Sequence, residues 1–529
     1  MGPAAMNRAI RPNSRTRDPG PVSGRTIYQP NDRQYGENMY DFVIRGASLF
    51  DGSGAPPRQS DVAVQGSFIA EVGAVSGATR RDIDAEGLAL APGFIDVHTH
   101  DDFAVLLHPE MAFKVLGGVT TCVVGNCGMG AAPWQAASLM ARAFHPDQDV
   151  PRYEGYAGYF AHLSENPATP NVAALAGHGT IRLAVMGVDD REPTEAEMAA
   201  MKATLNEALD EGVIGLSTGL IYEPGRYART EEIIELASEM STRGGIYTTH
   251  MRDEGTGLVA SVEEALRIGQ EAGVDVQISH HKAAGRPSWG LVRESLELIE
   301  QAQSRGQTVF ADQYPYTAGS TVLAAVLQNE MFGDSDDAPS TPADVVIASC
   351  SPHPEWEGRS LAELSEEFGC TGTEAAERIL REAPTTTVIT HMMNEDDVRT
   401  VMAHPSTMIG SDGIPTVGAK PHPRLSNTFA RVLGHYARDE AVLPMAEAVR
   451  KMTGFAAETF GLDRRGYVRE GNYADLVVFD PNTVKDRGTF DEPTLMPTGF
   501  HHVFVNGTEV VSGGQHTGSR PGLTLRRQG

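Results

Sequence analysis

The chain has 529 residues, 40% of them hydrophobic, and its 43 basic and 70 acidic side chains give a net charge of −27. So long a chain exceeds what one core fills, and its negative balance excludes a surface built to grip a phosphate backbone. The 4 cysteines form no disulfide framework, no apolar run nears the ~18 residues of a membrane span, and no apolar segment follows the basic N-terminus. The sequence therefore reads as a cytoplasmic protein with neither nucleic-acid nor membrane partners; oligomeric state is not legible.

Residues 1–38, rich in Arg, Pro, Gly and Asn, show no hydrophobic period and read as a disordered extension. Strand composition begins near Tyr40, with YDFVIRGASLF and then DVAVQGSFIAEVG, and returns in Ala474–Phe479 and His502–Val511. The two ends, 40–92 and 466–529, are predicted to form one small β-sandwich domain. Between them, strand-like runs at 94–98, 119–124, 172–176, 213–217, 245–249, 274–279, 308–311, 387–390 and 407–410 alternate with helical patterns at 194–211, 230–243, 258–272 and 291–305. This βα rhythm predicts a TIM-type (β/α)8 barrel over 93–465, with a doubly wound open sheet as the alternative. Nine runs compete for eight places, so one is extra. The stretch 320–384 breaks the rhythm and is predicted to be an insertion that shapes a pocket or lid.

Metal-capable residues recur at the ends of these runs. GFIDVHTH supplies His98 and His100, whose i, i+2 spacing sends both imidazoles to one face of a strand. VVGNCGMG supplies Cys127, IYTTH supplies His250, ISHHK supplies His280 and MIGSDG supplies Asp412. Taken singly, each has an ordinary structural role open to it: a buried thiol, a core histidine, a turn aspartate. Of the adjacent His280 and His281, only one can point inward, and His280 is chosen. Four imidazoles, one thiol and one carboxylate suit zinc. Six ligands exceed one tetrahedral shell, which implies two sites or one tight and one weaker site.

GFIDVHTH followed by GSDG resembles the amidohydrolase superfamily. With GVTTCVVGNCG, GLSTGLIYEPG, THMRDEG, ISHHKAAG, DQYPYTAGST and HPRLSNTFARVLGHY, the chain from about Tyr40 onward is similar to the N-acyl-D-amino-acid deacylases, or D-aminoacylases, within it. Many superfamily members bridge two metals with a modified lysine on the fourth strand; here that run reads GLSTGL, with Ser217 and no lysine. The resemblance implies that Cys127, His250 and His280 hold a tight zinc and that His98, His100 and Asp412 line a weaker second site. It also implies that Asp412 is the catalytic acid–base and that Lys282, Tyr314 and Arg424 bind the substrate carboxylate. A guanidinium fork suits a carboxylate on independent grounds. The implied reaction is hydrolysis of a small-molecule N-acyl-D-amino acid with a hydrophobic or broad side-chain preference. Alternatives are a deacylase specific for acyl-D-glutamate or aspartate, favoured if Arg226 faces the pocket, a cyclic-amide hydrolase of hydantoinase or dihydroorotase type, and a non-catalytic barrel scaffold. Arg252 and His178 stand near strand ends as lesser candidates.

Overall fold

A computed structural model describes residues 39–527 except 146–147 and 336. The predicted extension 1–38 lies outside the described residues. Eight parallel strands organise the middle of the chain: β1 Phe94–Asp96, β2 Val119–Val124, β3 Asn171–Ala174, β4 Gly215–Gly219, β5 Ile246–His250, β6 Asp275–Ile278, β7 Val309–Gln313 and β8 Thr407–Ile409. Nearly every residue in them is buried, as expected where helices cover a parallel sheet.

These strands form two hydrogen-bonded sheets. One runs β3-β2-β1; the other begins with the two-residue strand Ala176–Gly177, just past β3, and continues β4-β5-β6-β7-β8. The Ile214 amide donates to the Ala174 carbonyl at 2.9 Å, joining the two sheets beside β3. At the opposite edges, Thr99 pairs in parallel with Gly413, the Asp412 amide donates to the His98 carbonyl at 2.7 Å, and the His100 amide donates to the Gly413 carbonyl at 3.0 Å. The segments leaving β1 and β8 are therefore stitched together where they carry polar side chains.

Helices Glu195–Glu211, Thr230–Ala237, Leu258–Ala272 and Val292–Ser304 fill the predicted intervals. Local chemistry sets their ends. Thr194 and Glu197 form a reciprocal capping box at the first helix, which stops at Gly212 with φ +105°.

The ninth strand candidate is real but does not belong to the parallel series. Thr387–His391 lies between Ala318–Val322 and Val345–Ser349 in an antiparallel sheet. Together with helices Leu361–Phe368 and Gly372–Glu382 it encloses a core of its own, around Leu323, Trp356, Leu364, Ile379 and Val388.

A separate nine-stranded sheet draws on both ends of the chain. Leu476–Phe479 runs antiparallel to Ala89–Pro92, with Phe42–Leu49 on one flank and Phe500–Val505 on the other. Asn171 at the start of β3 ties it to the parallel strands: its Nδ2 donates to Asp475 at 3.2 Å, and its Oδ1 accepts from Asn506 at 2.8 Å.

Below β8, helix Met445–Met452 delivers the buried amine of Lys451 to the carbonyls of His404 and Thr407. Burial lowers this amine from 10.5 to about 7, with Glu447 opposing and Arg450 assisting. Between those pH values the unfolded chain binds the extra proton, so stability rises as pH rises from 7 toward 10, by at most about 1.4 kcal/mol per pH unit. Lys451→Met should flatten that slope in urea unfolding measured across pH 7–10.

Candidate metal and catalytic site

His98 and His100 lie just beyond the last residue of β1, where the chain turns to bridge Gly413. Both still reach the cluster. His98 Nε2 is 3.3 Å from the Cys127 sulfur and 3.5 Å from Asp412 Oδ1; His100 Nε2 is 3.2 Å from the same Asp412 oxygen. Cys127 follows β2 and places its sulfur 3.4 Å from His280 Nε2. His250 ends β5, with its ring 4.4 Å from that of His280. Three overlapping groups, His98–His100–Cys127, Cys127–His250–His280 and His98–His280–Asp412, each keep one possible ligand atom per residue within 4.8 Å of the others.

The local backbone is bent to achieve this. Cys127, His280 and Asp412 have φ of +54°, +36° and +49°, in the region that side chains other than glycine rarely adopt. Gly125 and Gly128 flank Cys127 with φ of +83° and +74°; a Cβ on Gly125 would strike the Leu175 carbonyl, and one on Gly128 would come within 2.7 Å of the Gly219 amide.

Two buried carboxylates aim the imidazoles. Asp312 Oδ2 sits 3.3 Å from His98 Nδ1 while its Oδ1 accepts the His280 amide at 3.0 Å. Glu254 Oε1 lies 2.8 Å from His280 Nδ1, and its Oε2 lies 3.6 Å from His250 Nε2. A carboxylate at Nδ1 holds the proton there and leaves Nε2 as a lone-pair donor. Burial opposes charge on the Cys127 sulfur, but the His98 and His280 imidazoles outweigh it and hold the thiol well below its usual range. Burial likewise opposes ionisation of Asp412, and Arg424, with Nη2 at 2.9 Å from Oδ2, together with His280, His100 and His98 more than offsets it.

The donor set fits a soft or borderline divalent cation. A thiol poised to ionise, imidazoles with oriented nitrogens and a carboxylate converge, and buried nitrogens remain without a protein partner: both of His250 and Nδ1 of His100.

A cavity of about 300 Å³ opens beside the cluster, with His100, His250, His280, Asp412, Lys282 and Tyr314 in its wall. Lys282 Nζ pairs with Glu254 Oε1 at 2.6 Å. Arg424 lies fully buried behind the wall, its guanidinium 4.4 Å from the centre of the Tyr314 ring; its Nε and Nη1 are without a protein partner. His281 faces elsewhere, 2.9 Å from Ser295 Oγ. Arg252 pairs with Glu264, and His178 with Glu232 at 2.8 Å, so both are engaged in other contacts. Arg226 lines a different surface hollow, alongside Arg252 and Glu264.

Asp312 is the penultimate residue of β7, close to the strand end as the other candidates are, and that regularity could have revealed it. Glu254 and Lys114 carry no such mark. Lys114 is buried under the cluster, its Nζ 2.7 Å from Asp96, 2.9 Å from Thr99 and 2.8 Å from Ser411, binding the segment after β1 to the one after β8. Lys114→Met would leave Asp96 and Asp101, the latter 3.3 Å from Nζ, buried without their cation. A loss of about 3–5 kcal/mol in urea unfolding is expected.

Residues 81–288 and 361–511 match the amidohydrolase family. A D-aminoacylase of Alcaligenes xylosoxydans xylosoxydans is 45% identical over 490 residues, covering 92% of this chain and 98% of that protein. The structure of a D-aminoacylase, described as having a binuclear metal centre with one-metal activation and second-metal attenuation, superposes with a TM-score of 0.83 at 42% identity, over 92% of this chain and 100% of that one. An N-acyl-D-glutamate deacylase from Bordetella bronchiseptica, complexed with zinc and a phosphonate mimic of the tetrahedral intermediate, gives 0.84 at 40% identity, also over 92% and 100%.

Proposed function

The chain belongs to the amidohydrolase family, and from that membership we propose that it hydrolyses the amide bond of N-acyl-D-amino acids to a carboxylate and a free D-amino acid. The observation that carries this reading is the buried convergence of Cys127, His250 and His280 next to Asp412, with His250, His280 and Asp412 lining a cavity that also presents Lys282 and Tyr314. Behind it stands the strand circuit, which we read as a closed (β/α)8 barrel because the segments after β1 and β8 pair. We take the sheet built from both chain ends as a small β-domain outside the barrel. Among the described residues no helix is long and apolar enough to cross a membrane. The cysteines described are all unpaired, which suits a reducing cytoplasm.

In this reading Cys127, His250 and His280 hold a zinc ion tightly, and His98, His100 and Asp412 line a weaker second position. Bound there, zinc supplies Lewis acidity toward the scissile carbonyl and acidifies water. Asp412, kept ionised by Arg424, accepts a proton as water attacks the acyl carbon. The water oxygen bonds that carbon, the C–N bond breaks, and Asp412 returns the proton to the departing nitrogen, which is a very poor leaving group as an anion. Lys282, Tyr314 and Arg424 receive the substrate carboxylate. Both cations approach the Tyr314 ring, Lys282 at 5.8 Å and Arg424 at 4.4 Å, which supports a shared anion position.

A hydrophobic or broad side-chain preference follows from the lining. Ile221, Met331 and Met392 face the cavity, and Glu223 would repel an acidic substrate side chain. Hydrolysis of N-acetyl-D-leucine and N-acetyl-D-methionine should exceed that of N-acetyl-D-glutamate and of every L form; faster turnover of the L series would overturn the assignment. Asp412→Asn should lower kcat by about 10²–10⁴ with the tight zinc retained on elemental analysis. Cys127→Ala should lose the zinc together with the activity.

A further inference from the structure

We propose that the cavity has an aliphatic arm for the acyl chain, so that the preferred substrates are N-acyl-D-amino acids carrying medium-length, unbranched acyl groups; this rests on the deacylase reading above. Beside Ile221, Met331 and Met392, taken above for the amino-acid side chain, the cavity has a second apolar group of residues that lacks any charged side chain. Lys282 and Tyr314 follow β6 and β7, on the side assigned to the substrate carboxylate. Met129 follows Cys127 after β2, and Met140, Ala143 and Phe144 come from helix Trp134–Phe144. In a ring of eight strands, β2 and β6 stand opposite each other.

The helix is built for such a wall. Residues 140, 143 and 144 have the i, i+3, i+4 spacing of one face, and all three are half-buried; Met140 also packs against the core, where Ala137 and Ala141 are buried, and its sulfur accepts from the Thr180 hydroxyl at 3.4 Å. The Phe144 ring lies 6.5 Å from that of His100, so the apolar wall begins directly beside the ligand cluster. Leu139, 54% exposed, carries apolar surface outward from it.

An N-acyl amino acid has its scissile carbonyl in the middle. With the carboxylate at Lys282 and Tyr314 and the carbonyl beside Asp412, the acyl chain must leave toward Met129 and Phe144. Two thioethers, a methyl and a phenyl ring offer that chain burial rather than hydrogen bonds. An acetyl group ends after one methyl. Each further methylene buried there should raise kcat/KM by roughly fourfold at most.

The test is kcat/KM for N-acetyl-, N-butanoyl-, N-hexanoyl- and N-octanoyl-D-leucine with the zinc-loaded enzyme, its Ala143→Phe variant and, should that variant fold poorly, Met140→Ser. A rise of about tenfold from acetyl to hexanoyl is expected in the wild type. The series should flatten in either variant, with the ratio of N-acetyl-D-leucine to N-acetyl-D-alanine cleavage unchanged. A flat or falling wild-type series, with N-acetyl-D-leucine still cleaved, overturns the acyl arm and leaves the deacylase reading standing. A variant that shifts the leucine-to-alanine ratio instead assigns this wall to the amino-acid side chain and also overturns it. No cleavage of any D substrate defeats the deacylase reading and this inference with it.

Discussion

A sulfur atom sealed from water, with imidazole nitrogens at 3.3 and 3.4 Å, is the constraint on which this structure turns. Burying an isolated thiolate would cost several kcal/mol, and the opposing imidazoles make the charged form tenable. The imidazoles cannot be arranged freely in return, because each must present a particular nitrogen. Asp312 meets that requirement at His98 Nδ1 and Glu254 lies at His280 Nδ1, while Asp312 also accepts the His280 backbone amide. Lys114 then fastens the segment carrying His98 to the one carrying Asp412. The cluster is thus fixed from behind by charge, not by packing alone.

Its geometry has a cost that marks it as selected. Three of the site residues, Cys127, His280 and Asp412, hold positive φ, a conformation that costs about 1–3 kcal/mol apiece for such residues. None sits within its strand; each lies in the first residues past the strand's end, where the ladder no longer dictates the backbone. The strands fix the place, and the strained residue just beyond re-aims one side chain across it. Glycines at 125 and 128 remove the side chains that would otherwise block the Cys127 turn.

This division explains what could be read from the residues alone. The parallel strands announce themselves as short apolar runs between amphipathic helices, and a ligand at the end of a run is visible as a break in hydrophobicity. That His98, His100, Cys127, His250, His280 and Asp412 converge was legible for that reason. Glu254 and Lys114 were not, since one follows its strand by several residues and the other lies on a short helix, and neither interrupts a pattern. Thr387–His391 has the composition of a parallel strand because it too is buried on both faces, Val388 in the core around Leu323 and Trp356 and Ile389 against Ala318 and Ala348. Period and composition report burial; they do not report which sheet does the burying.

The two proposed metal positions differ in what they ask of their ligands. Cys127, His250 and His280 make no demand on the proposed acid–base residue; Glu254, beside His280, pairs with Lys282 instead. Asp412 is in a different position. Its Oδ2 is held by Arg424, and its Oδ1 already faces both His98 and His100. That one oxygen would have to serve as ligand and as proton acceptor, and a carboxylate oxygen that donates its lone pair to a cation is a weaker base. Occupation of the second position therefore works against the proton transfers assigned to Asp412, whereas occupation of the first leaves them free. In the proposed reading, a single ion held by Cys127, His250 and His280 is the arrangement that leaves the Asp412 oxygen free to take a proton.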